Sequence, residues 1–150
     1  MLAAIRNLLR GYALPLASDE SDGERSLQLA VGLLLLDVAR ADMVISTEER
    51  HVARNLLERF FPVSQDQAQA LVDAAEREAE QATSLYPFTR LINRECDLEE
   101  RTRIVGMLWR VSCADGKIDA HEEHLVRKVA DLLYVPHARF IQAKHVHAAK

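Results

Sequence analysis

Apolar residues recur every three or four positions along most of this chain, which is the spacing of a helix with one buried face. No stretch alternates apolar and polar residues in the way that a half-buried strand does. The pattern therefore predicts an all-α bundle of seven or eight helices. After an N-terminal helix, the predicted segments are 24–41, 47–61 with Thr47 as its cap, 64–83, 88–94, 97–113, 120–133 and 137–146, and the polar residues 18–23 are expected to form a loop.

The N-terminal stretch predicts an accessory amphipathic helix over residues 1–17, beside a single domain over 18–150. Its apolar residues share one helical face: Leu2, Ile5, Leu8 and Leu9. Arg6 and Arg10 interrupt the apolar stretch, so it lacks the continuous core of a secretory signal. We expect this helix to pack on its own domain or to mediate homo-oligomer formation, and contact with a membrane surface is the less favoured alternative.

An internal repeat relates residues 31–61 to residues 104–134 at a constant offset of 73. Eight of the 31 pairs are identical, where about two are expected by chance. The identical pairs are Leu35/Leu108, Val38/Val111, Ala41/Ala114, Asp42/Asp115, Ile45/Ile118, Glu49/Glu122, His51/His124 and Arg54/Arg127. Each copy is predicted to form a helix, a short acidic loop and a second helix. We expect the two halves to bury their apolar faces against each other about a pseudo-twofold axis.

The loops of the two copies share the pattern D-x-x-x-[SD]-x-x-E. The candidate metal ligands are Asp42, Ser46 and Glu49 in the first copy and Asp115, Asp119 and Glu122 in the second. Ca²⁺ and Mg²⁺ bind several oxygen ligands, and Gly116 permits a tight turn. A full EF-hand is excluded, because Val111 and Cys113 stand where two oxygen ligands are required. The loops predict weak binding of Ca²⁺ or Mg²⁺, completed by water or by the other repeat.

Helix capping is the alternative explanation of the same acids. Asp119 precedes a predicted helix and Glu122 lies in its first turn, where negative charge complements the helix dipole. Ser46 and Glu49 match a capping box. Capping does not explain why an aspartate recurs at the end of each preceding helix, where a carboxylate is unfavourable. Both explanations stay open at the level of sequence.

Composition narrows the class of protein. The 150 residues carry a formal net charge of −4, which gives no general attraction to nucleic acid. Two cysteines are too few for a disulfide framework, so a reducing cytoplasm is the expected location. No glycine-rich phosphate loop, Ser-His-Asp order or CxxC pair is present, so the sequence does not predict an enzyme.

The paired segments DVARADMVISTEE and VSCADGKIDAHEEHLVRKVADLL resemble the TerB-like family, which is associated with bacterial tellurite resistance. The resemblance covers about residues 27–144, and its best-matching element is ADGKIDAHEE. It implies an all-helical fold of two related hairpins, an acidic patch that binds divalent metal and a role in stress response. Met43 and Ser46 depart from the pattern, since glycine and a carboxylate fit better there.

Three functions follow as hypotheses. The preferred one is a non-enzymatic module that binds a divalent cation weakly and serves partner proteins in a stress pathway. The second is a pure protein-interaction module whose acids are helix caps. The third, a hydrolase with paired carboxylates, is the least favoured because no nucleophile accompanies them.

Overall fold

The computed structural model describes residues 19–40, 44–114, 116 and 120–148, and every regular element in this part of the chain is a helix. The predicted all-α fold is therefore confirmed. The helices are α1 Asp19–Ala39, α2 Thr47–Phe60, α3 Gln65–Gln81, α4 Tyr86–Glu95, α5 Leu98–Ser112, α6 Ala120–Leu132 and α7 His137–Ala148. The accessory helix predicted over residues 1–17 lies outside the described residues.

Helix α1 is the centre of the bundle, with α2, α3, α4, α5 and α6 all packed against it. A helix that is apolar on every side must be enclosed by other elements. The segment LAVGLLLL, residues 29–36, has this composition, and Leu29, Leu33 and Leu36 are all fully buried. Because α1 is buried on all sides, the other helices can share one core.

The outer helices are arranged around α1 and α5. The most extensive packing is between α1 and α3 and between α5 and α7, and α2 also packs against α3 and α5. The apolar faces of the two repeat copies predict eight core residues, and seven of them are buried: Leu35, Val38, Leu56, Leu108, Val111, Val129 and Leu133. The eighth, Phe60, is only partly buried against the core. None of the described helices is long and apolar enough to cross a membrane.

Local capping sets three of the helix starts. Ser46, Ser64 and Asp97 are the N-caps of α2, α3 and α5, and each forms a capping box with the residue three positions on. The boxes at Ser64 and Asp97 confirm the starts expected from the sequence. Thr47 is not the cap of α2 as predicted. It is the first helical residue, because the Ser46 hydroxyl already accepts the exposed backbone N–H.

Two helices begin earlier than predicted. Residues 18–23 were expected to form a loop, yet α1 begins at Asp19 and includes Gly23. Acidic residues are favourable in a first helical turn, because their charge complements the positive end of the helix dipole. Helix α4 begins at Tyr86, and Pro87 lies in its first turn rather than before it. Proline is tolerated there because the first N–H groups of a helix have no partner within the helix.

The helix boundaries follow the sequence repeat. Helix α1 ends at Ala39 and α5 at Ser112, while α2 begins at Thr47 and α6 at Ala120, so both boundaries keep the offset of 73. The two halves therefore share the positions at which the first helix ends and the second helix begins. The pseudo-twofold relation between the halves stays a prediction.

Candidate functional site

The acidic loops are described only at their edges. Of the six predicted ligands, Ser46, Glu49 and Glu122 lie within the described residues. Asp42, Asp115 and Asp119 lie outside them. Gly116 has a φ of 85°, a left-handed conformation that glycine adopts without steric cost. This conformation is compatible with the tight turn expected at Gly116, which stays a prediction.

Ser46 and Glu49 form two reciprocal hydrogen bonds at the start of α2. The backbone N–H of Glu49 donates to Ser46 Oγ at 3.0 Å, and the backbone N–H of Ser46 donates to Glu49 Oε1 at 2.8 Å. These two bonds confirm that the pair forms a capping box. Capping occupies Oε1 with a backbone donor, and the Glu49 carboxylate is the hydrogen-bond acceptor in that contact.

The glutamates of both loops are buried. Glu49 is 4% exposed and Glu122, in the first turn of α6, is 3% exposed. Most glutamates remain in water, because burying a carboxylate is costly unless it is paired or hydrogen-bonded. Sequence reasoning named both residues but missed their burial. The available signal was their position on the apolar face of each helix, since Ala53 and Val126 follow them by four residues and are fully buried.

The described residues fit a divalent cation only in part. Carboxylate oxygens are suitable ligands for Ca²⁺ and Mg²⁺, and each loop contributes one buried glutamate. Within residues 19–40, 44–114, 116 and 120–148, no group of three or more His, Cys, Asp or Glu side chains could hold a metal ion. Helices α2 and α6, which carry the two glutamates, are not among the described helix pairs that pack extensively. Further ligands would have to come from the loop aspartates.

A groove of about 380 Å³ separates α6 from α7. His124, Arg127 and His137 are among its lining residues, together with Glu123. The Glu123 carboxylate accepts a 2.6 Å hydrogen bond from Lys144 Nζ, which joins the two helices across the groove. His124, one of the repeated residues of the sequence, lines the same groove as His137.

A second groove, of about 200 Å³, lies between α2 and α5. Its lining residues are Leu56, Arg59, Phe60, Arg103, Met107 and Arg110. Sequence reasoning missed this groove, which we call the arginine groove. Part of the signal was present, because Arg103, Met107 and Arg110 recur with the spacing of one helical face.

The comparison with protein families gives a match over residues 28–145 to the family described as tellurite resistance protein TerB. The chain belongs to the TerB family. The matched region agrees with the resemblance seen over about residues 27–144, and it includes both acidic loops and both grooves. No curated protein and no solved structure was found to match the chain.

Proposed function

We propose that this TerB-family chain is a non-enzymatic, cytoplasmic helical module that binds Ca²⁺ or Mg²⁺ weakly through its two acidic loops. In this proposal the module serves partner proteins in a stress response. The observation that carries it is the burial of Glu49 and Glu122 at matching positions after the two loops. Two carboxylates withdrawn from water at the same point of a repeat are expected to have a shared chemical role.

Each loop is proposed to hold its own ion. The first-turn glutamate and the loop residues Asp42 and Ser46, or Asp115 and Asp119, supply oxygen ligands, and water completes the coordination. Water is favoured over carboxylates of the other repeat, because α2 and α6 do not pack extensively within the described residues. Few protein ligands and several waters give a modest affinity.

Thermal unfolding tests the cation directly. A cation that binds only the folded form stabilises it by mass action. With a Kd of about 1 mM, 10 mM cation adds about 1.4 kcal/mol for each loop that binds it, or roughly 3–5 °C per loop in melting temperature for a chain of this size. Asp115→Asn combined with Glu122→Gln should remove the rise at the second loop. The matched control is Asp73→Asn with Glu80→Gln, which removes the same charge from exposed positions on α3.

The second candidate is an interaction module without metal, and the Ser46–Glu49 capping box favours it. It predicts that the Asp115/Glu122 double variant loses stability equally with cation and with chelator. A wild-type melting curve that does not move with either cation would end the metal proposal and leave the capping explanation.

The environment of Cys96 argues against a cysteine nucleophile at this position. Burial raises the pKa of its thiol to about 11, so the reactive thiolate is scarce at neutral pH. Metal-dependent turnover of a generic phosphoester such as p-nitrophenyl phosphate would favour the hydrolase hypothesis instead. Loss of that turnover in the Asp115/Glu122 double variant would be required to assign it to the loops.

A further inference from the structure

The arginine groove has an apolar floor and a cationic rim. Leu56 and Met107 are buried at its base, while Arg59 and Arg103 are exposed. The guanidinium of Arg103 lies over the Phe60 ring, 4.8 Å from its centroid. The groove therefore offers a small hydrophobic surface with charged donors around it.

No acidic side chain of the described residues neutralises this rim. Ion pairs form elsewhere in residues 19–40, 44–114, 116 and 120–148, as at Arg50–Glu76, but none involves Arg59, Arg103 or Arg110. The chain has 23 acidic residues against 19 Lys and Arg, so acids are not scarce. Three arginines that form no ion pair with a carboxylate of the described residues produce a local positive field that attracts anions.

The surface that matches the arginine groove in the sequence repeat is covered by another helix. At the offset of 73, the positions matching the groove are Ala30, Leu34, Asp37, Val129, Leu132 and Leu133. Helix α4 packs against both α1 and α6 there, and Asn93 Nδ2 of α4 donates to the Leu132 carbonyl at 2.9 Å. Over the arginine groove, the only described helix that packs extensively on both α2 and α5 is the central helix α1, from the core side.

We propose that the arginine groove binds an acidic segment of a partner protein, with one apolar side chain on the floor and flanking carboxylates on the arginines. Its volume of about 200 Å³ is below the roughly 300–1,000 Å³ of small-molecule sites, which favours a single side chain over a cofactor. Arginine binds carboxylates through two parallel hydrogen bonds, and a helix-lined apolar floor supplies the anchor.

The N-terminal residues of this chain are a poor occupant on grounds of charge. Residues 1–17 contain Arg6 and Arg10 and no acidic residue. Placing them in the groove would add positive charge to three arginines, and like charges in contact oppose association. An acidic segment is complementary in both charge and hydrophobicity.

This inference rests on the partner-binding part of the proposed function and is independent of its cation. Binding is therefore measured in the presence of chelator, and the melting experiments above are run without peptide. Failure of one experiment leaves the other result intact, so the two proposals can be rejected separately.

The probe is a fluorescein-labelled peptide of glutamates on both sides of a central leucine, followed by fluorescence polarisation on the full chain. We expect a Kd on the order of 10 μM, which weakens as salt screens the charges. Arg59→Gln, Arg103→Gln and Arg110→Gln should each weaken binding about threefold to tenfold, and the triple variant should abolish it. Replacing the peptide's leucine by serine should weaken binding about tenfold.

The matched control is Arg90→Gln with Arg94→Gln and Lys128→Gln, which removes three exposed cations from α4 and α6. It should bind the peptide as the wild type does. Circular dichroism checks that both triple variants fold, and the single variants carry the test if the groove triple does not.

Four results would overturn the proposal. The first is no peptide binding up to 1 mM, and the second is equal loss in the groove and control variants. The third is unspecific binding of anions. It would appear as full displacement of the peptide by millimolar inorganic phosphate, and replacement of the peptide's leucine would not change its affinity. Binding to phosphatidylglycerol vesicles through the same arginines, without peptide binding, would assign the groove to a membrane surface and also defeat it.

Discussion

In the first half of the molecule, Arg50 of α2 donates to both oxygens of Glu76 on α3, each at 2.8 Å. In the second half, the position matching Arg50 is Glu123 of α6, and its carboxylate accepts from Lys144 of α7 at 2.6 Å. Each half thus joins its second helix to its third by an ion pair, but the sign of the charge on the second helix is reversed. Asp37 and Arg110 are a further matched pair with opposite charge.

Several buried positions keep the same residue in both halves, unlike the partly exposed positions that reverse their charge. Leu35 and Leu108, Val38 and Val111 are identical pairs and fully buried, and the buried acids Glu49 and Glu122 are also identical. A core side chain contacts many neighbours at once, so a change there disturbs the packing on every side. An ion pair at the surface needs only complementary charges, so either polarity satisfies it.

The largest effect should come from the matched core leucines. Leu35→Ala and Leu108→Ala should each lower the free energy of unfolding by about 2–5 kcal/mol, because each leaves a cavity in a close-packed core. Chemical denaturation measures both. Val146→Ala, at a residue that is 49% exposed, should change little. If one leucine variant is as stable as the wild type, the two halves do not share an equivalent core.

A smaller effect should follow from removing the cap of α2. Ser46→Ala should cost about 1 kcal/mol, since an exposed N–H loses its acceptor. Ser64→Ala is the reference, because it removes the same capping box from α3, outside the repeat. Asp119→Ala at the matching position of the second half should give a similar loss with chelator if it is a cap. An additional loss seen only with Ca²⁺ or Mg²⁺ would mark Asp119 as a ligand.

The ion pairs that join the second and third helices should contribute less. Glu76→Gln should cost about 0.5–1 kcal/mol at pH 7, because its bonds to Arg50 are bidentate but partly exposed. Those hydrogen bonds lower the pKa of Glu76 from its ordinary 4.5. The stabilisation is therefore complete above pH 4.5 and is lost as the pH falls through the lower pKa of the folded state.

Glu123→Gln is the comparison for the second ion pair, and it should cost no more than about 0.5 kcal/mol at its more exposed site. Thermal melts between pH 2 and pH 7 measure both variants. A pH-independent cost for Glu76→Gln would show that the side chain acts by packing rather than by charge.

The smallest effect is expected at Asp37. Burial raises the pKa of this carboxyl above its ordinary 3.8, against the opposing charges of Arg40 and Lys128. The folded state therefore binds its proton more tightly, and stability falls as the pH rises through this range. Asp37→Asn should raise stability slightly at pH 7, and the gain should vanish below pH 3.8. Asp73→Asn, at an exposed residue of α3, is the control for removal of one negative charge.

The type and order of the helices could be predicted because they depend on local patterns. A capping box such as Asp97 with Glu100 lies within four residues, and the stripe of apolar residues in α5 repeats every turn. The internal repeat similarly located the two acidic loops. Which helices cover Glu49 and Glu122 could not be predicted, because this coverage depends on contacts between segments that are distant in the chain.

The sequence by itself determined an all-helical chain, the apolar segment that becomes the central helix, and the repeat that relates residues 31–61 to residues 104–134. Only the tertiary structure decided which surfaces are covered. Arg59 and Arg103 are far apart in the chain, and they line one groove because α2 packs against α5. Tyr134 has a φ of 54° just after α6 ends, where Asn93 donates to the carbonyl of Leu132 and Arg101 donates to the carbonyl of Leu133. Helical periodicity is local in sequence, whereas coverage of a surface depends on contacts between distant segments.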